Sequence, residues 1–111
     1  MALSADEARL LALSLPEAVE RDHHGRPSLR VGERIFATLW DETHMNVMLD
    51  EDGILTAVDR SPDLFEKVWW GKRLAAVRVD LALADHDLLT EVLTDAWEQK
   101  APNRLLNTDD R

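Results

Sequence analysis

Residues 28–49 read SLRVGERIFATLWDETHMNVML, in which three short apolar runs are separated by two polar breaks. Gly32-Glu33 forms the first break, and the stretch from Asp41 to His44 forms the second. Short runs rich in apolar, aromatic and β-branched residues between such breaks are typical of β-strands joined by turns. We therefore predict a hairpin over residues 28–40 and a third strand over residues 45–49.

The middle run, from Arg34 to Trp40, is largely apolar on both sides when successive residues are assigned to opposite faces of a strand. One face then carries Ile35, Ala37 and Leu39, and the other carries Phe36, Thr38 and Trp40. A strand that is apolar on both faces is typical of one that is buried on both. We expect this strand to be central in its sheet and covered on both sides.

The flanking segments predict a mixed fold. Ser4 and Glu7 form a capping box, so we predict a helix from Ser4 to Leu15 that ends before Pro16. A helical apolar repeat after Asp85 predicts a last helix that runs to about Lys100. Further strands are predicted over residues 18–24, 65–70 and 74–81, and a short helix over residues 50–60. Strands grouped in this way indicate an α+β fold, with an antiparallel sheet of about six strands and helices on one face.

The length and composition limit the class of protein. The chain has 111 residues and no cysteine. This length fits one domain, which we place at residues 1–106, with residues 107–111 as a loose polar tail. A chain without cysteine has no disulfide, no thiolate zinc site and no cysteine nucleophile. The early acids do not resemble a secretory signal, and no apolar run approaches the ~20 residues of a membrane helix. We expect a cytoplasmic protein with no membrane role.

The charges are unevenly distributed along the chain. The formal net charge is −9, yet residues 23–40, 67–78 and 100–106 are each net positive. Cations that project from turns and helix ends can contact phosphates if the fold brings them together. The alternative is a scattered set of solvated charges. The candidate DNA contacts in these segments are Arg26, Arg30, Arg34, Lys72, Arg73 and Arg104.

Trp69 and Trp70 are candidate exposed aromatic side chains. These two rings and Trp40 could stack on bases of single strands, as aromatic side chains do, but the alternative interpretation is that they pack in the core. Since neighbours on a strand point to opposite faces, we expect one of the two rings to be buried and the other partly exposed. Trp97 falls on the apolar side of the last predicted helix, where we expect it in the core.

We find no sequence sign of catalysis, of a metal site or of a cofactor. The chain has no G-x-S-x-G elbow, P-loop or G-x-G-x-x-G motif, and its four glycines are isolated. His23 and His24 are adjacent, and adjacent strand residues point apart, so the pair is poorly placed to chelate one ion. We therefore expect a binding module and not an enzyme.

Several motifs in order carry a family resemblance. They are LSLPEA at residues 13–18, HHGRP at residues 23–27, RVG at residues 30–32, IFATL at residues 35–39, WWGKR at residues 69–73, VRV at residues 77–79 and KAP at residues 100–102. The set resembles the MmcQ/YjbR family of small bacterial proteins over about residues 8–106. The resemblance implies a CyaY-like (frataxin-like) α-β sandwich, and DNA binding by hairpins in a "double wing" arrangement.

Two functions therefore stay open at the level of sequence. The first is a non-enzymatic DNA-binding domain that uses basic turns and hairpin wings. The second is a module for another protein or a small ligand, which the acidic net charge favours because it repels nucleic acid at a distance. Whether the two Gly-basic turns and Arg104 lie on one side of the sheet distinguishes them best.

Overall fold

A computed structural model describes residues 3–106 as a six-stranded sheet with helices against one face. Residues 107–111, which we expected to form a loose tail, lie outside the described residues. The final short helix was not predicted from the sequence. The elements are α1 (Ala5–Leu13), β1 (Val19–His23), β2 (Arg26–Val31), β3 (Arg34–Asp41), β4 (His44–Val47), α2 (Glu51–Arg60), β5 (Phe65–Trp70), β6 (Arg73–Asp80), α3 (His86–Lys100) and α4 (Asn103–Leu106).

The sheet has the order β1-β2-β3-β4-β6-β5, and every neighbouring pair is antiparallel. Strands β1 to β4 follow one another as hairpins, because only short turns connect them. Helix α2 interrupts this meander, and β6 rather than β5 then pairs with β4. The β1–β2 and β5–β6 hairpins therefore form the two edges of the sheet. This arrangement confirms the expected α+β class.

The three longer helices begin at the residues that the sequence indicated. The Ser4 hydroxyl accepts a hydrogen bond from the Glu7 backbone amide, and the Glu7 carboxylate accepts one from the Ser4 amide. Asp50 caps α2 through the amide of Gly53, and Asp85 caps α3 through the amide of Leu88. Each cap satisfies a backbone donor that a helix start would otherwise leave unpaired.

The helices bury their apolar sides against one face of the sheet only. All buried residues of α1, α2 and α3 belong to a single cluster, which also contains strand residues such as Val31, Phe36 and Val77. A separate small cluster of Met48, Val68 and Ala76 contains no residue of a helix. We call the side of the sheet that carries this second cluster the open face.

β3 is therefore not covered on both sides, and the expected division of its residues is wrong. Leu29 pairs with Ala37 and Arg30 with Ile35, so Phe36 is an extra residue that forms a β-bulge. The bulge places Phe36, Ala37 and Leu39 together in the core cluster. It leaves Ile35, Thr38 and Trp40 on the open face. A bulge changes the face assignment because two residues on one strand then oppose a single residue on its partner.

Two further bulges shape the open face. Trp40 is the extra residue between the Leu39–Met45 and Asp41–His44 pairs. Ala75 is extra on β6, and it lies on the open face, whereas Val77 lies in the core. Bulges bend a strand, increase its twist and redirect side chains, and here they accompany a concave open face.

Gly32 provides a first prediction, which concerns the turn between β2 and β3. Its φ is +56°, and a Cβ added there would lie 2.9 Å from Cδ of Pro102, which follows α3. Gly32→Ala should therefore destabilise the fold by about 2 kcal/mol or more, because a strained backbone and a close contact add together. Chemical denaturation measures the change. Gly25→Ala is the matched control, because Gly25 also has positive φ but no atom within 4 Å of an added Cβ; equal losses would contradict the close contact.

No helix among residues 3–106 is long and apolar enough to cross a membrane.

Candidate anion-binding cleft on the open face

The two edge hairpins and the central strands place several cations on the open face. On β1 and β2, His23 pairs with Arg26 and Arg21 pairs with Ser28, and paired residues of neighbouring strands point to the same side. Leu29 and Val31 point into the core, so Arg26, Ser28 and Arg30 point away from the helices. The strand alternation thus concentrates positive charge on one side of the sheet.

Three arginines of this face are held in the same way. The Nε of Arg26 donates to the backbone carbonyl of Trp40 at 2.9 Å, and the Nε of Arg78 donates to the Asn46 side-chain oxygen at 3.0 Å. The Nε of Arg30 donates to the hydroxyl of Ser28 at 3.1 Å. All three acceptors are neutral, so the positive charges are not cancelled. Among residues 3–106, the terminal amino groups of these arginines have no hydrogen-bond partner, which leaves their paired donors free for a carboxylate or phosphate.

Trp40 lies between two of these guanidinium groups. The Arg26 guanidinium carbon is 4.3 Å from the centre of the Trp40 ring, and that of Arg78 is 4.2 Å from it. Arg26 comes from β2, on one side of β3, whereas Arg78 comes from β6, on the other side. Stacking on an aromatic face stabilises a cation, so the ring and the neutral acceptors fix both guanidinium groups before any ligand arrives.

Beside this stack, the open face contains a cleft of about 600 Å³. Ile35, Met48 and Ala75 give it apolar surface, and Trp40 and Trp70 give it aromatic surface. No carboxylate of the described residues lines it. Its charged and imidazole lining is Arg26, Arg73, Lys100, His23 and His24.

Three cations lie close together where α3 ends, and two of them, Arg73 and Lys100, line the cleft. Partial burial lowers the pKa of Lys100, and the nearby positive charges of Arg34 and Arg73 lower it further. Arg73 also stacks against Trp70, with its guanidinium carbon 5.1 Å from the ring centre. The protonated ammonium of Lys100 is therefore held at an electrostatic cost, which a bound anion would offset.

The arginines on the helical side are arranged differently, because carboxylates neutralise them. Arg104 donates to both oxygens of Glu17 at 2.9 and 2.7 Å, and these hydrogen bonds lower the pKa of Glu17. Arg60 donates to Glu91 at 2.9 Å, and this hydrogen bond lowers the pKa of Glu91 in the same way. Arg9 donates to Glu20. The acidic residues Asp52, Glu91, Asp95 and Glu98 line a groove between α2 and α3. The open face thus carries more unpaired arginines than the helical side, although Glu66 and Asp80 also lie on it, since Glu66 is opposite Arg78 on the neighbouring strand.

Most of this chain is similar to one known protein family. A model of the family named YjbR matches residues 13–99. The chain belongs to the YjbR family. No curated protein and no solved structure matches the chain. The match covers the sheet and most of α3, and therefore every residue of the cleft except Lys100, which follows it directly.

The structure brings together some of the candidate contacts of this YjbR protein and separates others. Arg26 and Arg73 line the cleft, although their turns stand at opposite ends of the strands. Arg30 shares the open face with them, and Arg34 lies near Lys100. Lys72 is exposed in the β5–β6 turn. Arg104 does not line the cleft and is paired with Glu17.

The tryptophan pair also differs from expectation. Trp69 is 54% exposed and Trp70 is 51% exposed, so the prediction that one ring is buried is wrong. The two rings nevertheless face different surroundings. Trp70 lines the cleft and Trp69 does not, although both rings contribute to a shallow surface beside Glu51 at the start of α2. Both lie at the sheet edge, where few elements can cover them. Trp97 is buried as expected, and its indole donates to the Pro16 carbonyl.

His23 and His24 both line the cleft, so the expectation that their side chains point apart is wrong. The rings of His23 and His24 are 4.5 Å apart and meet edge to face. Within residues 3–106, no three histidine, aspartate or glutamate side chains are grouped so that they could hold a metal. His44 instead contacts Asp41, whose pKa is lowered first by the Thr43 amide and then by His44.

Sequence reasoning named Trp40 as a possible stacking ring but did not select two other central residues of this site. Arg78 and Lys100 each belong to a basic segment, but neither was chosen as a contact. The signal for Arg78 was its alternation with the core residues Val77 and Val79 on β6. Its position over Trp40 could not be foreseen, because it depends on β4 standing between β3 and β6.

Proposed function

We propose that this YjbR protein is a non-enzymatic nucleic-acid-binding domain, that its ligand is DNA, and that it binds through the open face of the sheet. The β1–β2 and β5–β6 hairpins would act as the two wings, since they form the edges of this face and carry Arg26 and Arg73. The DNA-binding function that the family resemblance implies supports the proposal.

One observation carries the proposal, namely the way the three Nε-anchored arginines are held. Arg26, Arg30 and Arg78 each use Nε for a neutral partner and keep their terminal donors free. A phosphate needs such a paired donor, and anchoring reduces the entropy that binding would cost. Arginines that served only stability would be expected to pair with carboxylates, as Arg60 and Arg104 do.

The net charge of −9 argues against nucleic acid only if the charge is spread evenly. The cleft and its surroundings carry Arg26, Arg73, Arg78 and Lys100, whereas the acidic groove lies between α2 and α3 on the other side. Interactions between exposed charges are screened beyond about 8 Å at physiological ionic strength. A ligand on the open face therefore experiences mainly the local cations.

A second candidate function is the binding of a small anionic ligand. The cleft volume of about 600 Å³ favours it, because small-molecule sites usually have volumes of about 300–1,000 Å³. The lining of apolar, aromatic and cationic groups also suits a ligand with one flat apolar part and one negative group. Such a ligand would bind without the flanking residue Arg30, which lies outside the cleft lining.

A titration of fluorescein-labelled DNA, in duplex and in single-stranded form, tests the proposal. If about four phosphates are contacted, the affinity should fall between about 50 and 200 mM salt by about fiftyfold for a single strand and about 150-fold for a duplex. Fluorescence anisotropy measures the affinity at each salt concentration. Absence of binding to both forms at about 50 mM salt, with protein up to about 100 µM, would end the proposal, because non-specific contacts alone are detectable under those conditions.

A further inference from the structure

The shape and lining of the cleft indicate which form of nucleic acid it suits. In a duplex, the faces of the bases are stacked on one another, so a protein reaches only phosphates, sugars and base edges in the grooves. Recognition of a groove needs an element that projects into it. The cations described here instead surround a concave cleft with an apolar and aromatic lining. Apolar and aromatic groups donate no hydrogen bond to a phosphate, but they can pack against the face of an unpaired base.

The two cleft tryptophans divide the roles of stacking and positioning. Trp40 already has the guanidinium groups of Arg26 and Arg78 over its ring, so it is poorly placed to accept a base. Trp70 is 51% exposed and has one guanidinium, that of Arg73, near its ring. A base can stack on an aromatic ring or on the plane of an arginine, and both are offered at Trp70.

The charge balance points in the same direction. Duplex DNA carries one negative charge per about 1.7 Å of axis, and a single strand carries one per about 3.4 Å. The few cations of the open face neutralise a larger share of the charge of a single strand than of a duplex of the same length. Stacking also adds affinity that does not depend on counterion release, which offsets the small number of cations on the open face.

We propose that the cleft binds single-stranded nucleic acid in preference to duplex, with a base against Trp70 and the neighbouring phosphates on Arg26, Arg73 and Arg78. This inference rests on the proposed function, because it specifies the ligand of the same open face. The cleft is large enough for one nucleotide unit, so the strand enters it locally and continues along the open face past Arg30.

The test compares a labelled single strand of about ten thymidines with a mixed-sequence duplex of the same length, since single-strand sites span about 4–16 nucleotides. At about 50 mM salt, the single strand should bind at least about fivefold more tightly, which is the contribution of one stacked base. A strand of about ten uridines shows whether the ribose changes the affinity, and tight binding of either strand supports the inference.

Trp70→Ala and Trp69→Ala provide the matched pair of variants. The two residues are neighbours on β5 and are exposed to nearly the same extent, but only Trp70 lines the cleft. Trp70→Ala should weaken single-strand binding by about fivefold or more and leave duplex binding within about twofold. Trp69→Ala should leave both affinities within about twofold, because its ring does not line the cleft. Circular dichroism and thermal unfolding confirm that both variants fold.

Four other outcomes would contradict the inference, and each would point to a different explanation. Duplex that binds as tightly as the single strand would contradict it and leave the proposed function intact, whereas failure of both forms to bind would end both. Thymidine monophosphate that binds as tightly as the ten-nucleotide strand would identify a small-ligand site instead. Equal losses for Trp69→Ala and Trp70→Ala would show that the cleft does not select the base.

Discussion

Replacing Arg26 and Arg78 together with alanine should weaken binding of single-stranded DNA by about a hundredfold or more at about 50 mM salt. A hydrogen bond to a charged group contributes about 1.5–3 kcal/mol, and each lost arginine removes at least one such bond to phosphate. Two losses of about 1.5 kcal/mol correspond to a little more than a hundredfold. The salt dependence should also become shallower, by about 0.7 units of slope for each phosphate contact that is lost. Anisotropy titrations at several salt concentrations measure both effects.

The double variant Arg60→Ala/Arg104→Ala is its matched control. It also removes two positive charges from the chain, but from arginines that are bound to Glu91 and Glu17 on the helical side. If the open face is the binding surface, this control should change the affinity by less than about threefold, because exposed charges at a distance are screened. A loss as large as that of Arg26→Ala/Arg78→Ala would show that overall charge, and not the anchored arginines, determines binding.

These two pairs of arginines show which features of the site could be predicted from the sequence and which could not. Arg104 was selected because it lies in a basic segment, but its partner Glu17 is 87 residues away in the chain. A count of charges along the sequence cannot find such a partner. Arg26 was selected because it follows Gly25 in a turn, and the structure does place it in the cleft. Local rules therefore identified which cations project, whereas tertiary pairing decided which of them stay free.

The fold was more predictable, because its signals are local. Ser4, Asp50 and Asp85 cap helices with their own side chains, and Gly32 and Gly71 adopt the positive φ that turns require. The bulges at Phe36, Trp40 and Ala75 were not foreseen, since strict alternation assigns each residue to a face without them. A bulge depends on the register with a neighbouring strand, which the sequence of one strand does not contain. For this reason the sequence did not predict the open face, although it predicted the strands that form it.

Replacing Phe36 with alanine should destabilise the protein by about 3–5 kcal/mol, because Phe36 is fully buried in the main core and phenylalanine-to-alanine changes in cores cost this much. This variant tests the bulge directly. Without the bulge, Phe36 would share a face with Trp40, and its loss would enlarge the cleft and leave the core intact. With the bulge, its loss opens a cavity between the sheet and the helices.

Chemical denaturation measures the free energy of unfolding, and two controls define the result. Phe36→Leu keeps most of the buried volume and should cost about 1.5 kcal/mol or less. Leu83→Ala, at a side chain that is 59% exposed, should change stability by about 0.5 kcal/mol or less, as is usual for surface positions. A loss of less than about 1 kcal/mol in the free energy of unfolding for Phe36→Ala would be smaller than the truncation of a core side chain causes. It would place the ring on the open face, and the register that directs Trp40 into the cleft would then be wrong.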